Sequence, residues 1–372
     1  MIGTHKIPLY GITRQYTNLR EEILDISDKI YSSGQLLDGE YTNFFEERMA
    51  QRVGSSYAVT VNSCTQALVF SLIALNLPQE EKPYVLIPSI SFIATLNAVL
   101  WANMIPVFCD VDPDTGLIDL DNIPVSIDKI SAVMYVNLLG NIVDQEKLTL
   151  YMNFFTNKHI SIIEDAAQSF GAKWDNKPSG SLGTISCLSF DPTKNFANYG
   201  SGGMILTNEP SIHSAICDLK NNGKFSDHST IGTNSKMSEV DCAQMLVKIK
   251  YFDRWQERRQ KIAEFYNDNI SQNENLRLIP IRSKVTHAWS KYVVHTSKYN
   301  LISHLRTRGI ESKPTYPYPL YEEAVGANFH NGSSIMLGAM QFSRSSVSLP
   351  IYPELTDLEV EEIVNAVNLC TY

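Results

Sequence analysis

Two short apolar runs, residues 160–163 and 184–190, constrain this chain more than any other feature, because each leads directly into a residue with chemistry. Both have the length of buried strands. Asp165 sits just past the end of the first, and Lys194 just past the end of the second. In an open α/β sheet, ligands lie outside the carboxyl ends of the strands. The pattern therefore predicts one carboxylate and one amine at the same sheet edge. Gly200, Gly202 and Gly203 follow, where the backbone must turn tightly or approach something closely.

Around this block the chain alternates strand and helix. Residues 57–61, 84–87, 105–109 and 132–136 read as further strands, and residues 66–77, 93–103 and 211–221 as helices. The expected fold is α/β, with a mostly parallel seven-stranded sheet. Upstream, residues 19–31 and 39–51 carry helical periodicity, the second with Phe44, Phe45 and Met49 on one face. Residues 240–265 read as one long helix whose face of Asp253, Arg254, Glu257, Arg258 and Arg259 is solvated. The domain boundary is expected near residue 250, giving a large unit over 1–250 and a smaller α/β unit over 251–372. In the latter, residues 289–294 alternate like a strand, 301–308 and 354–369 look helical, and 312–320 form a proline-rich loop.

An acid and a lysine over a sheet edge suit pyridoxal 5′-phosphate, which needs an amine for its aldehyde and an acidic partner for its ring nitrogen. Taken singly, Asp165 reads more readily as a helix cap and Lys194 as a solvated loop residue. Asn62-Ser63-Cys64-Thr65, between a strand and a helix start, offers free N–H groups and a helix dipole to a phosphate. It fits an ordinary N-cap equally well.

The motifs decide between these alternatives. Glu-Asp-Ala-Ala-Gln at 164–168, Ser-Phe-x-x-x-Lys-Asn at 189–195 and Gly-x-Gly-Gly at 200–203 resemble the DegT/DnrJ/EryC1/StrS aminotransferases, sugar-nucleotide enzymes of the aspartate-aminotransferase fold. The likeness covers nearly the whole chain and is densest between residues 33 and 240. It implies that Lys194 is catalytic, holding the cofactor and moving protons. It further implies cofactor contacts from Cys64, Thr65, Phe92, Asp165, Gln168 and Ser189. Asn234 would reach across a homodimer interface to the neighbour's phosphate. Asn137, Tyr316 and Tyr318 would lie beside substrate. Most relatives have glycine where Cys64 stands, and some carry histidine in place of the lysine and act as dehydratases, which Lys194 argues against.

The resemblance also implies L-glutamate as amino donor and a keto-deoxy sugar linked to a nucleotide as acceptor. The local Asp-Pro-Thr-Lys-Asn-x-x-x-Tyr-Gly-Ser-Gly-Gly looks closest to enzymes that make dTDP-4-amino-4,6-dideoxyglucose for O-antigen sugars. A C3-aminotransferase and a non-catalytic cofactor-binding protein remain as alternatives. A dinucleotide-dependent oxidoreductase does not fit, because the glycine turn lacks the third glycine of G-x-G-x-x-G and precedes a strand.

Composition sets outer bounds. The 372 residues suffice for one large and one small unit, and a net charge of −9 argues against a basic nucleic-acid surface. The six cysteines form no C-x-x-C pair, and the eight histidines show no metal spacing. Free thiols, no metal, no membrane segment and a cytoplasmic location are expected.

Overall fold

The computed structural model describes residues 6–78, 82–123, 129–154, 160–270, 275–329 and 335–370. Two helices lead in, α1 (Ile12–Ser33) and α2 (Glu40–Val53). Then β1 (Tyr57–Val61), α3 (Cys64–Ala74), β2 (Tyr84–Pro88), α4 (Ile93–Trp101), β3 (Ile105–Cys109), β4 (Ile130–Val136), α5 (Gln145–Phe154) and β5 (Ser161–Asp165) alternate. A hairpin of β6 (Lys173–Trp174) and β7 (Lys177–Pro178) precedes β8 (Ile185–Ser189), β9 (Gly203–Thr207) and α6 (Pro210–Leu219).

The seven-stranded sheet has the order β1-β9-β8-β5-β4-β2-β3. Every neighbouring pair from β3 to β8 is parallel, and only β9 runs against its neighbours. Successive side chains alternate faces. In β8, Ile185 and Cys187 pack into one core with α3, whereas Leu188 packs into a second with Phe45 and Met49 of α2. Both faces of the sheet are thus covered, as a parallel sheet requires. Phe44, expected on the buried face of α2, is 47% exposed.

The smaller unit is built on an antiparallel sheet ordered β10-β12-β14-β13, comprising β10 (Arg277–Leu278), β12 (Tyr292–His295), β14 (Ser346–Leu349) and β13 (Lys313–Pro314). Strand β11 (Val285–Thr286) leaves this sheet and pairs with β6. Helices α9 (Lys298–Thr307), α10 (Leu337–Ser345) and α11 (Asp357–Asn368) complete the fold, α11 entered through a capping box at Thr356 and Glu359.

Four expectations change. The helix expected over 240–265 is two helices, α7 (Glu239–Ile249) and α8 (Phe252–Ile270). The break lets α7 lie on α1 and α2 while α8 turns onto the small unit. Arg259, expected in solvent, is buried and donates to the carbonyls of Trp289 (3.1 Å) and Ile351 (2.6 Å). The strand expected at 289 begins at Tyr292, because Trp289 takes a left-handed φ of 47°. The N-terminal residues, expected with the large unit, contribute Ile7 to the small unit's core, and Ile7 bridges Ile310.

Two buried carboxylates act as hubs. Glu239 accepts from the N–H groups of Gly39 (3.0 Å), Tyr41 (2.6 Å) and Thr42 (3.2 Å), capping α2, whose own cap residue has no side chain. Glu164 accepts from Asn137 Nδ2 (2.8 Å), Ser179 Oγ (2.6 Å), Ser186 Oγ (2.6 Å) and the N–H groups of Gly180 and Leu182. Replacing Glu164 with alanine orphans several buried donors at about 1–3 kcal/mol each. The expected result is a loss of at least about 3 kcal/mol, read as a lower denaturant midpoint with an unchanged slope.

Candidate active site

The carboxyl ends of β1, β2, β4, β5 and β8 meet at one edge and form the floor of a cavity of about 590 Å³. Lys194, Asp165, Gln168, Ser189, Cys64, Thr65, Phe92 and Tyr316 all line it. Asp165 is the last residue of β5 rather than the residue beyond it. Its neighbour Glu164 points to the opposite face, so one carboxylate of the pair holds the scaffold and the other faces the cavity.

Asp165 is buried, with Oδ2 accepting from Thr95 Oγ1 (3.1 Å) and Oδ1 from the Ala167 N–H (3.1 Å). Ser91 Oγ backs Thr95 Oγ1 at 2.8 Å. Burial pushes the Asp165 carboxyl above its ordinary pKa, against these hydrogen bonds and the charge of Lys194. A carboxylate held at such a cost is one that a further cation in the cavity would stabilise.

Lys194 is half-buried, and its Nζ makes no hydrogen bond or ion pair among the described residues. The loop that carries it is fixed on its far side. Asn195 Nδ2 donates to the Phe170 carbonyl (2.7 Å), Phe196 packs against Phe170, Phe190 and Phe252, and Asn198 Nδ2 donates to Asp241 (2.7 Å). Lys248 of α7 donates from Nζ to the Ala197 carbonyl at 2.6 Å and lies 3.5 Å from the centre of the Tyr199 ring. None of these anchors except Asn195 carried a signal in the sequence.

Lys248 is buried, and desolvation pushes its pKa down to about 7. The unfolded chain then binds more protons than the folded one between about 7 and 10.5, so stability rises with pH across that window. Below it the full cost of burying the charge is present. Lys248→Met is expected to flatten the slope by about 1 kcal/mol per pH unit, in denaturant titrations at pH 6, 8 and 10. An unchanged slope would mean that Lys248 stays protonated throughout.

The phosphate-binding expectation meets a suitable geometry. Ser63 caps α3 through Gln66 N–H (3.2 Å), while the N–H groups of Cys64 and Thr65 have no acceptor among the described residues. Gly203 lies opposite both Val61 and Ser189 in the register. A Cβ at Gly203 would come within 2.5 Å of Cys64 N and of the Ser63 carbonyl carbon. The glycine is what lets this turn close against β9. Burial and the Asp165 charge keep Cys64 a neutral thiol, so its side chain brings no negative charge to this turn.

The remaining expected site residues divide between the cavity and places outside it. Phe92, which a bare sequence reading would bury, is 58% exposed on the cavity wall at the start of α4. Gln168 spends its amide on Tyr316 OH (2.6 Å) and the Leu139 N–H (3.2 Å). Asn137 does not line the cavity: it is buried, with Nδ2 on Glu164 and Oδ1 accepting from Val143 N–H (2.9 Å). Its expected substrate contact gives way to a scaffold role. Tyr318 is 61% exposed and outside the cavity, whereas Tyr316, at a φ of 51°, lines it. Asn234 is exposed, outside this protomer's cavity, and bridges Asn221. Tyr10 and Lys291 line the cavity from elements that the sequence did not connect to it, and Lys313 lines it from the proline-rich loop that also carries Tyr316.

The model of the DegT/DnrJ/EryC1/StrS aminotransferase family matches residues 17–368. The chain is 29% identical to a dTDP-3-amino-3,4,6-trideoxy-alpha-D-glucose transaminase of Streptomyces venezuelae, over 98% of this chain and 96% of that one. It is 29% identical to a pleiotropic regulatory protein of Geobacillus stearothermophilus, over 97% of each. The crystal structure of DesV from S. venezuelae superposes with a TM-score of 0.91 at 28% identity, covering 98% of both chains. Aminotransferases of this kind depend on pyridoxal 5′-phosphate. The cavity fits that group: an unbonded lysine amine, a buried carboxylate that gains from a cation, and two open N–H groups at a helix start. With the match running nearly end to end and the donor set intact, this chain belongs to the DegT/DnrJ/EryC1/StrS aminotransferase family.

Proposed function

We propose that the enzyme moves an amino group from L-glutamate to a nucleotide-linked keto-deoxy sugar, and that the acceptor is dTDP-4-keto-6-deoxyglucose, giving dTDP-4-amino-4,6-dideoxyglucose for O-antigen synthesis. The observation that carries the transfer itself is the shared cavity of Lys194 and Asp165. Pyridoxal phosphate, when bound, would supply the electron sink and the amino-group carrier that such a transfer needs. Lys194 holds it and, once released, moves a proton at its Nζ to and from the substrate carbon. Asp165 keeps a proton on the ring nitrogen, a charge-assisted contact of about 1.5–3 kcal/mol. The N–H groups of Cys64 and Thr65, with Ser189, bind the phosphate. Phe92 and Tyr316, which line the cavity, would border the cofactor and the sugar, and Gln168 positions Tyr316 through the bond to its hydroxyl.

Asn234 supports a homodimer with shared sites. It is exposed beside Phe225 (68% exposed) and Ile231 (96% exposed), where a second copy could cover all three. The reaction takes place in the cytoplasm, and among the described residues no helix is long and apolar enough to cross a membrane.

The Streptomyces relative names a 3-amino sugar, which favours the C3 alternative on a dTDP- or UDP-ketosugar. The Geobacillus relative's name favours a non-catalytic role. Incubation with glutamate and a panel of 3- and 4-keto nucleotide sugars separates these. A glutamate-dependent 4-amino product is expected. A 3-amino product alone would move the reaction to C3, and cofactor binding without any product would overturn the enzymatic proposal.

A further inference from the structure

Two cavity lysines have no carboxylate partner among the described residues. Lys291, immediately before β12, places its Nζ 4.9 Å from the centre of the Tyr316 ring. Lys313, the first residue of β13, places its Nζ 4.8 Å from the centre of the Tyr10 ring. Both line the cavity that holds Lys194. Lys291 also lines a small pocket of about 30 Å³ shared with Lys194, so it sits in the wall beside the reacting amine. The ring faces attract the ammonium groups but use none of their N–H donors.

The acids of the cavity are committed elsewhere. Asp165 accepts from Thr95 and Ala167, and Asp191 accepts from the Thr193 N–H (2.9 Å) and Oγ1 (2.5 Å). Desolvation pushes Lys291 down to about 8, with Lys313 adding to the effect and Tyr10 and Asp191 opposing it. A bound anion would offset that cost.

We propose that Lys291 and Lys313 are the subsite for the two carboxylates of a dicarboxylic amino-acid donor, Lys291 taking the one next to the reacting carbon. This rests on the aminotransferase assignment above and deepens it. The donor must bring its amine to Lys194, and its α-carboxylate is one bond from the carbon that reacts. A half-buried cation beside Lys194 meets that position. The side-chain carboxylate lies three bonds from the same carbon and meets the exposed Lys313 nearer solvent. A nucleotide sugar carries its diphosphate across the sugar ring from a C4 ketone, which puts that charge away from a wall residue beside Lys194. Charge-assisted contacts discriminate strongly against analogues that lack the partner group.

The test has two arms. In the first, Lys291→Gln and Lys313→Gln are loaded with pyridoxal phosphate, and loss of its visible absorbance is followed against glutamate and glutamine. Each variant is expected to need on the order of ten- to hundredfold more glutamate and to lose its preference over glutamine. Lys→Arg at each position should restore part of both. In the second, maleate, a dicarboxylate without an amine, is titrated calorimetrically into wild type and both variants. Lysine-dependent binding is expected. Unchanged donor preference in the variants, or maleate binding that ignores both lysines, would overturn the subsite. Wild-type protein that no amino acid bleaches would instead defeat the aminotransferase assignment, and the calorimetry would still decide whether the lysines bind dicarboxylates.

Discussion

Lys194→Ala is expected to lower the rate of amino transfer by at least about a thousandfold, within the range that a positioned general acid–base group contributes, and to leave the fold intact. The structural reason for the second half is specific. Among the described residues Lys194 Nζ bonds to nothing, and the loop is held by Asn195, Phe196, Asn198 and the Lys248 contact to Ala197. Removing the amine therefore costs no native hydrogen bond. The variant should still bind pyridoxamine phosphate, because the open N–H groups of Cys64 and Thr65 proposed for the phosphate, and the carboxylate of Asp165, remain. Thermal melts and pyridoxamine phosphate titration check the retained fold and binding, and single-turnover kinetics checks the loss. Retained transfer would remove Lys194 from its role.

Asp165→Asn should separate activity from stability. Asparagine preserves the shape, but its single oxygen can accept from Thr95 Oγ1 or from the Ala167 N–H and not from both, and it cannot hold a charge against a protonated ring nitrogen. The lost contact is worth about 1.5–3 kcal/mol, or roughly ten- to hundredfold in rate, before any electronic effect on the ring. Stability does not follow activity. Burial raises the Asp165 carboxyl in the folded protein, so its charged form is a cost that grows as pH rises above the usual carboxylate range. The relieved charge burial offsets the acceptor lost to asparagine, so the cofactor-free variant is expected to melt close to wild type at pH 7, and relatively better there than at pH 4. A variant that loses activity and stability together would mark Asp165 as a structural residue.

The parts of the site that were legible in the sequence are those whose chemistry is local. Asp165 and Lys194 follow apolar runs, and a strand end fixes where they go. The Ser63–Thr65 turn is equally local, capping its own helix. The placement of Asn137 away from the cavity was not legible, because its partners, Glu164 and the Val143 N–H, come from the neighbouring strand and a later loop. Lys291 carries no local signal as a site residue because only the docking of the small sheet brings it to the cavity, whereas Lys313 reaches the cavity on the loop expected there for Tyr316. The break between α7 and α8 has no proline or glycine to announce it. It arises from tertiary packing, as does the burial of Arg259 against carbonyls from two other segments. Glu164 and Glu239 likewise look like ordinary surface acids until the fold surrounds them with donors.

The most direct measurement of the central claim is chemical. Protein loaded with pyridoxal phosphate is reduced with borohydride, digested, and mapped by mass spectrometry. The added pyridoxyl mass is expected on the peptide that contains Lys194 and at that residue. Label on Lys291, on Lys313 or on no lysine at all would contradict the account.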